Sequence, residues 1–105
     1  TQGNSKRMGD RLVAHLQPAV DASATVAELR GRGLMQALET VQPGTLEPNV
    51  EAAGQIMEQA RAAGLLIGKG GLYGNVLRIA PPMTVTEEEV DKAAEILVAC
   101  IEALD

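Results

Sequence analysis

Hydrophobic spacing alternates between the helical and the strand period along this 105-residue chain, and that alternation limits the fold more than any single residue does. Met8, Leu12, Val13 and Leu16 recur at helical spacing in a segment from Asn4 to Gln17, with Arg7, Asp10, Arg11 and Gln17 mostly on the other face. Pro18 is expected to end this helix. Val26 and Leu29 then open an extended piece, RGRG is expected to turn, and Leu34 to Val41 reads as a second strand. Gly31 and Gly33 suit a tight reversal, because glycine reaches positive φ without strain.

A loop, QPGTLEP, leads to a second helix with Pro48 placed in its first turn and Val50, Ala53, Met57 and Ala60 as its apolar stripe. Gly64 is the natural residue beyond its C-terminus. Leu65, Leu66 and Ile67 read as a short buried strand, GKGGLYG as a turn, and NVLRIAP as another strand that Pro81 and Pro82 stop. The last helix is the clearest element. Thr86 is its N-cap, Glu89 completes a capping box, and Glu87 and Glu88 favour the positive end of the helix dipole. Val90, Ala94, Leu97, Ile101 and Leu104 form its apolar face. The order α-β-β-α-β-β-α implies an α+β fold: a small, mainly antiparallel sheet with helices packed on it.

The chain has one Tyr and no Phe or Trp, so its core must be built from Leu, Ile, Val, Met and Ala. A stacking platform for single-stranded nucleic acid is hard to assemble from Tyr73 alone. Nine basic against fourteen acidic residues give a net charge of −5, which argues against nucleic acid and against anionic membranes as partners. No apolar run approaches the ~20 residues of a membrane helix. The single cysteine, Cys100, fits a reducing compartment, so a cytoplasmic location is expected. TQGNSKRMGDRL lacks the apolar stretch of a signal peptide, and with no initiator Met the chain is expected to begin inside a longer gene product.

Few residues suggest chemistry. GKGGLYG is followed by a strand, where a phosphate-binding loop would open a helix, so it reads as a turn. Lys69 lies among glycines with nothing to desolvate it or flank it with positive charge, and so reads as a solvated loop residue. His15 has no second ligand at metal spacing and reads as a surface residue; no metal site is expected. Cys100 reads as a small core hydrophobe. Arg78 differs. It lies mid-strand between Leu77 and Ile79, and strand alternation puts Val76, Arg78 and Ala80 on one face. With Leu77 and Ile79 towards the helices, Arg78 points from the opposite face among small neighbours. A guanidinium there can clamp a carboxylate through two parallel hydrogen bonds. A plain solvent-facing strand arginine fits the same spacing.

The run GLLIGKGGLYGNVLRIAPPMTVTEEEVDKAAEIL closely resembles the closing segment of class III aminotransferases. That segment shows a GLL or GVL strand, then LR, Ile or Phe, one residue and PPL, then a T-x-E-E start to the last helix. Upstream, ELRGRGLMQALETV resembles the family's D-V-R-G-x-G-L-M hairpin. Met83 stands where Leu is usual, and Gln36 and Ala37 replace residues that are often more apolar. The resemblance covers effectively the whole chain, and its glycine-rich loop is most like members near the alanine–glyoxylate branch.

The resemblance implies a C-terminal small domain, residues 1–105, of a larger pyridoxal 5'-phosphate enzyme. It implies amino acid and 2-oxo acid substrates and a homodimeric full-length protein. In the family the large domain carries the cofactor lysine, the acidic partner of the pyridine nitrogen and the phosphate loop. No residue of this chain matches those, so no catalytic and no cofactor-binding residue is assigned and the chain alone is expected to be inactive. What carries over is the arginine of the LR motif, matching Arg78, which in the family generally receives the substrate's α-carboxylate. A mutase or phospho-lyase of the same fold, and a free-standing ligand-binding or interaction module, remain as alternatives.

Overall fold

A computed structural model describes residues 2–65, 67–71, 73–81 and 85–104. The elements follow the expected order: α1 (Gln2–Ala22), β1 (Val26–Arg32), β2 (Met35–Thr40), α2 (Val50–Ala62), β3 (Gly68–Gly70), β4 (Val76–Ile79) and α3 (Glu87–Glu102). The four strands form one sheet in the order β1-β2-β4-β3, every neighbouring pair antiparallel. Leu66, Pro82 and Met83, which the sequence reading assigned to a strand, a strand stop and a family motif, lie outside the described residues.

The three helices share one face of the sheet. There α1 packs on β1 and α3, while α2 packs on α3 and the other strands. The core is aliphatic, as the lack of aromatics requires. Met8, Leu12 and Leu16 of α1 meet Leu38, Leu77, Ile56, Leu97 and Ile101, all essentially inaccessible to solvent. Each such side chain contributes roughly 1.5–3 kcal/mol by leaving water. Tyr73 is 63% exposed and takes no part.

Several boundaries differ from the expectation. Pro18 does not end α1 but lies inside it, and the helix continues to Ala22. The extra turn buries Val20, while Ala14 and Pro18 are exposed, so the carbonyl that loses its helical partner sits on the wet side. The RGRG segment is not the turn. β1 runs on to Arg32, which pairs with Met35, leaving Gly33 and Leu34 as a two-residue turn with positive φ at Gly33. Gly31 has no positive φ; it is needed because a Cβ there would strike the Met35 carbonyl and Gln36.

Pro48 lies outside α2, in a bridge with Val41, and Asn49 caps the helix by accepting the Ala52 N–H at 3.0 Å. The buried stripe of α2 is Ala52, Ala53, Ile56 and Ala60, with Val50 exposed and Met57 only partly buried. At its other end Gly64 takes φ 93°, as expected, and the Leu65 N–H donates to the Ala60 carbonyl at 2.8 Å. That bond ties Leu65 to the helix end, and β3 is Gly68–Gly70, not the strand expected from Leu65 to Ile67. In α3 both halves of the expected capping box are present: the Glu89 N–H donates to Thr86 Oγ1, and the Thr86 N–H to Glu89 Oε1. Val90, Ala94, Leu97 and Ile101 face inward as expected, with Cys100 beside them.

Candidate functional site

One face of the sheet carries the helices, and among the described residues the other carries none. β4 is an inner strand, hydrogen-bonded to β2 on one side and β3 on the other. Leu77 and Ile79 point into the core and are buried, so alternation turns Val76 and Arg78 to the open face. Arg78 sits in register with Ala37 of β2 and Gly68 of β3, and backbone pairing on both sides holds its Cα. Its cross-strand neighbours are therefore a methyl group and a bare backbone. The guanidinium lies along β3, over Gly70.

Around it is a shallow depression of about 530 Å³, whose lining includes Arg30, Met35, Ala37, Gly68, Arg78 and Ala80. The two arginines differ in what they touch. Arg30, one strand beyond Ala37, donates to Glu39 at 3.1 Å and to Glu28 at 3.4 Å. The Arg78 guanidinium has no ion pair or hydrogen bond among the described residues. A fork of N–H donors without a partner among the described residues, on a strand paired on both sides and in a largely apolar hollow, is suited to a planar carboxylate.

The other residues considered from sequence lie elsewhere. Lys69 is in strand β3, not in a loop: Gly68–Gly70 pairs with Val76–Arg78, and Lys69 stands opposite Leu77, exposed at the sheet edge. Lys6 and Lys92 are exposed on helices, and Lys6 pairs with Asp10. No lysine of this chain is desolvated, so its own residues do not fit the covalent seat of a pyridoxal cofactor. Cys100 is buried on α3, and burial pushes its thiol pKa up, away from nucleophilic use.

His15 is on the surface but has a partner that spacing did not reveal. Its Nε2 lies 2.9 Å from Asp91 Oδ1 of α3. Arg11, one turn earlier on α1, donates to both oxygens of Asp91 at 2.7 Å. The Arg11 hydrogen bonds hold the Asp91 carboxyl down at about 2, with His15 adding to the effect, and Arg11 is raised in return. This cluster clasps two helices and lies away from Arg78. The i, i+4 spacing of Arg11 and His15 was visible in the sequence; an acid 80 residues on was not. The glycines of β3 were likewise read as a turn, and their place beneath Arg78 appears only once the strand register is known.

The chain matches the family described as Aminotransferase class-III over residues 1–101. It is 40% identical over 96 residues to a 5-aminovalerate aminotransferase of Pseudomonas putida, covering 91% of this chain and 23% of that protein. It is 37% identical over 95 residues to alanine–glyoxylate aminotransferase 2 homolog 2 of Arabidopsis thaliana, covering 90% and 20%. Among solved structures, it matches a PLP-bound amine transaminase from an uncultivated Pseudomonas species with a TM-score of 0.83 and 34% identity, over 98% of this chain and 23% of that one. A phospholyase from Arthrobacter in complex with phosphoethanolamine matches with a TM-score of 0.90 and 25% identity, over 97% and 24%. The chain thus spans about a fifth to a quarter of the length of these relatives.

Proposed function

Because this chain belongs to the class III aminotransferase family, we propose that it is the C-terminal small domain of a pyridoxal 5'-phosphate-dependent aminotransferase, moving an amino group from an amino acid to a 2-oxo acid. The cofactor would supply the electron sink for that exchange and would be held by the rest of the full-length protein. The small domain's contribution is Arg78, which would receive the substrate's α-carboxylate. One observation carries this role: a guanidinium with no partner among the described residues, carried on an inner strand, opens onto the face of the sheet that no described helix covers. The match to family members over nearly all of this chain, but only about a quarter of theirs, supports the domain assignment. A cytoplasmic homodimer is part of the same proposal. Among the described residues no helix is long and apolar enough to cross a membrane.

The test uses the full-length protein. Arg78→Lys and Arg78→Ala should fold and keep the cofactor. For α-amino or 2-oxo acids kcat/KM should fall by about ten- to a hundredfold, the loss of a charge-assisted bidentate contact of about 1.5–3 kcal/mol. Amines without a carboxylate should suffer much less. Equal losses for both classes of donor would make Arg78 structural and remove it from the site. The chain by itself should neither bind the cofactor specifically nor transaminate. An absorption band that survives dialysis against a competing amine, and is lost on changing one lysine, would refute that.

A phospho-lyase is the second reading, supported by the TM-score of 0.90 to the Arthrobacter enzyme. Release of inorganic phosphate from a phosphorylated amino alcohol, with no amino transfer to a 2-oxo acid, would establish it instead.

A further inference from the structure

Two glycines of β3 share the open face with Arg78, and they are not equivalent. Alternation puts both Gly68 and Gly70 on that face, opposite Arg78 and Val76 respectively. A Cβ added at Gly68 would have nothing within 4 Å. A Cβ added at Gly70 would stand 2.7 Å from Arg78 Nη2, 2.9 Å from Cζ and 3.1 Å from Nε. These are the three atoms that aim the guanidinium, and its plane therefore rests on the space that a side chain at residue 70 would fill. Neither glycine has the positive φ that would make its conformation unavailable to alanine. Gly70 thus has no backbone reason to be glycine; its reason lies in the side chain above it.

We propose that Gly70 is a positioning residue for Arg78: its missing side chain sets the direction of the guanidinium, and so how strongly the protein favours carboxylate-bearing over carboxylate-free amines. The inference rests on the reading of Arg78 as the carboxylate-binding group. What yields to a Cβ at residue 70 is the far end of a flexible arginine, so the cost falls on aim rather than on folding. A planar carboxylate accepts two parallel hydrogen bonds only from a fork in its own plane, and a tilted or displaced fork offers one. Small displacements of a binding group are costly where geometry is shared between partners.

The experiment compares Gly70→Ala, Gly68→Ala, Arg78→Ala and the Gly70→Ala/Arg78→Ala double variant in the full-length protein. The readouts are KM and kcat for alanine and for a carboxylate-free amine, the inhibition constant of acetate, and the thermal midpoint. For Gly70→Ala we expect KM for alanine and the acetate constant to rise by about tenfold or more. The amine should be nearly unaffected, and the midpoint should match that of Gly68→Ala. Gly68→Ala adds the same methyl group to the same strand with nothing within 4 Å of it, so its midpoint gives the strand penalty alone. In the Arg78→Ala background the Gly70 change should add nothing. If Arg78→Ala weakens alanine while Gly70→Ala binds alanine and acetate as the parent does, the positioning role falls and the Arg78 reading stands. Should Arg78→Ala spare alanine, both fall together. A midpoint drop confined to Gly70→Ala would mean that backbone, not the guanidinium, resists the methyl group, and that too overturns the proposal.

Discussion

Arg11 and Asp91 are 80 residues apart in sequence and joined by two parallel hydrogen bonds of 2.7 Å, from Nε to Oδ1 and from Nη2 to Oδ2. The pair fastens α1 to α3 along the seam where Leu12, Leu16, Leu97 and Ile101 are buried. Glu87 lies 3.6 Å from the same guanidinium and His15 2.9 Å from the same carboxylate, so the contact is a small network rather than a single ion pair.

Its pH dependence follows from the direction of the Asp91 shift. The carboxyl ionises at an ordinary 3.8 when unfolded and at about 2 when folded, chiefly because Arg11 donates to it. A depressed carboxylate stabilises the fold above its unfolded pKa, and that contribution is lost as pH falls through the folded value. The midpoint gap between the parent and Asp91→Asn should therefore be constant above about pH 5 and should close between about pH 4 and pH 2. Thermal melts across that range check it. A gap that persists at pH 2 would mean that Asp91 acts through packing.

Thr86→Ala removes the acceptor for the Glu89 N–H at the start of α3. Stability should fall by about 1 kcal/mol, read from denaturant unfolding. Glu89→Ala, which loses only the reciprocal bond to the Thr86 N–H, should cost less.

Two helical glycines should respond with opposite sign. Gly54 lies inside α2 with nothing within 4 Å of an added Cβ, so Gly54→Ala should stabilise by roughly 0.5–1 kcal/mol. Gly9 of α1 sits against the hairpin turn, where a Cβ would strike the Gly33 carbonyl. Backbone cannot swing away as a side chain can, so Gly9→Ala should destabilise by about 1–3 kcal/mol. Denaturant midpoints of the two variants give the answer directly.

Leu97→Ala opens a cavity where α3 meets the rest of the core. Leu97 is fully buried, so a loss of about 2–5 kcal/mol is expected in equilibrium unfolding. Leu104, which the sequence placed on the apolar face of this helix, lies just beyond the end of α3 and is only partly buried, so Leu104→Ala should lose less.

What the chain encodes locally was readable from the chain. The order of the seven elements, the capping box of α3, Gly64 at the end of α2 and the inward set Leu77 and Ile79 all rest on interactions or alternations within a few residues. Such features are written in adjacent letters, and no distant contact is needed to express them. The family resemblance picked out Arg78, and alternation alone put it on the face opposite Leu77 and Ile79.

Tertiary structure decided the rest, because burial and pairing depend on residues far away in sequence. Pro18 stays helical since Val20 has a core to enter. The Leu65 N–H is bound to the end of α2, and β3 is built from Gly68–Gly70. His15 and Arg11 share an acid supplied by another helix. Gly70 lies beneath a guanidinium that only the antiparallel register of β3 and β4 brings there. A sequence records which residues are glycine; only the register of the sheet shows that one of these two can accept a methyl group while the other leaves room for an arginine.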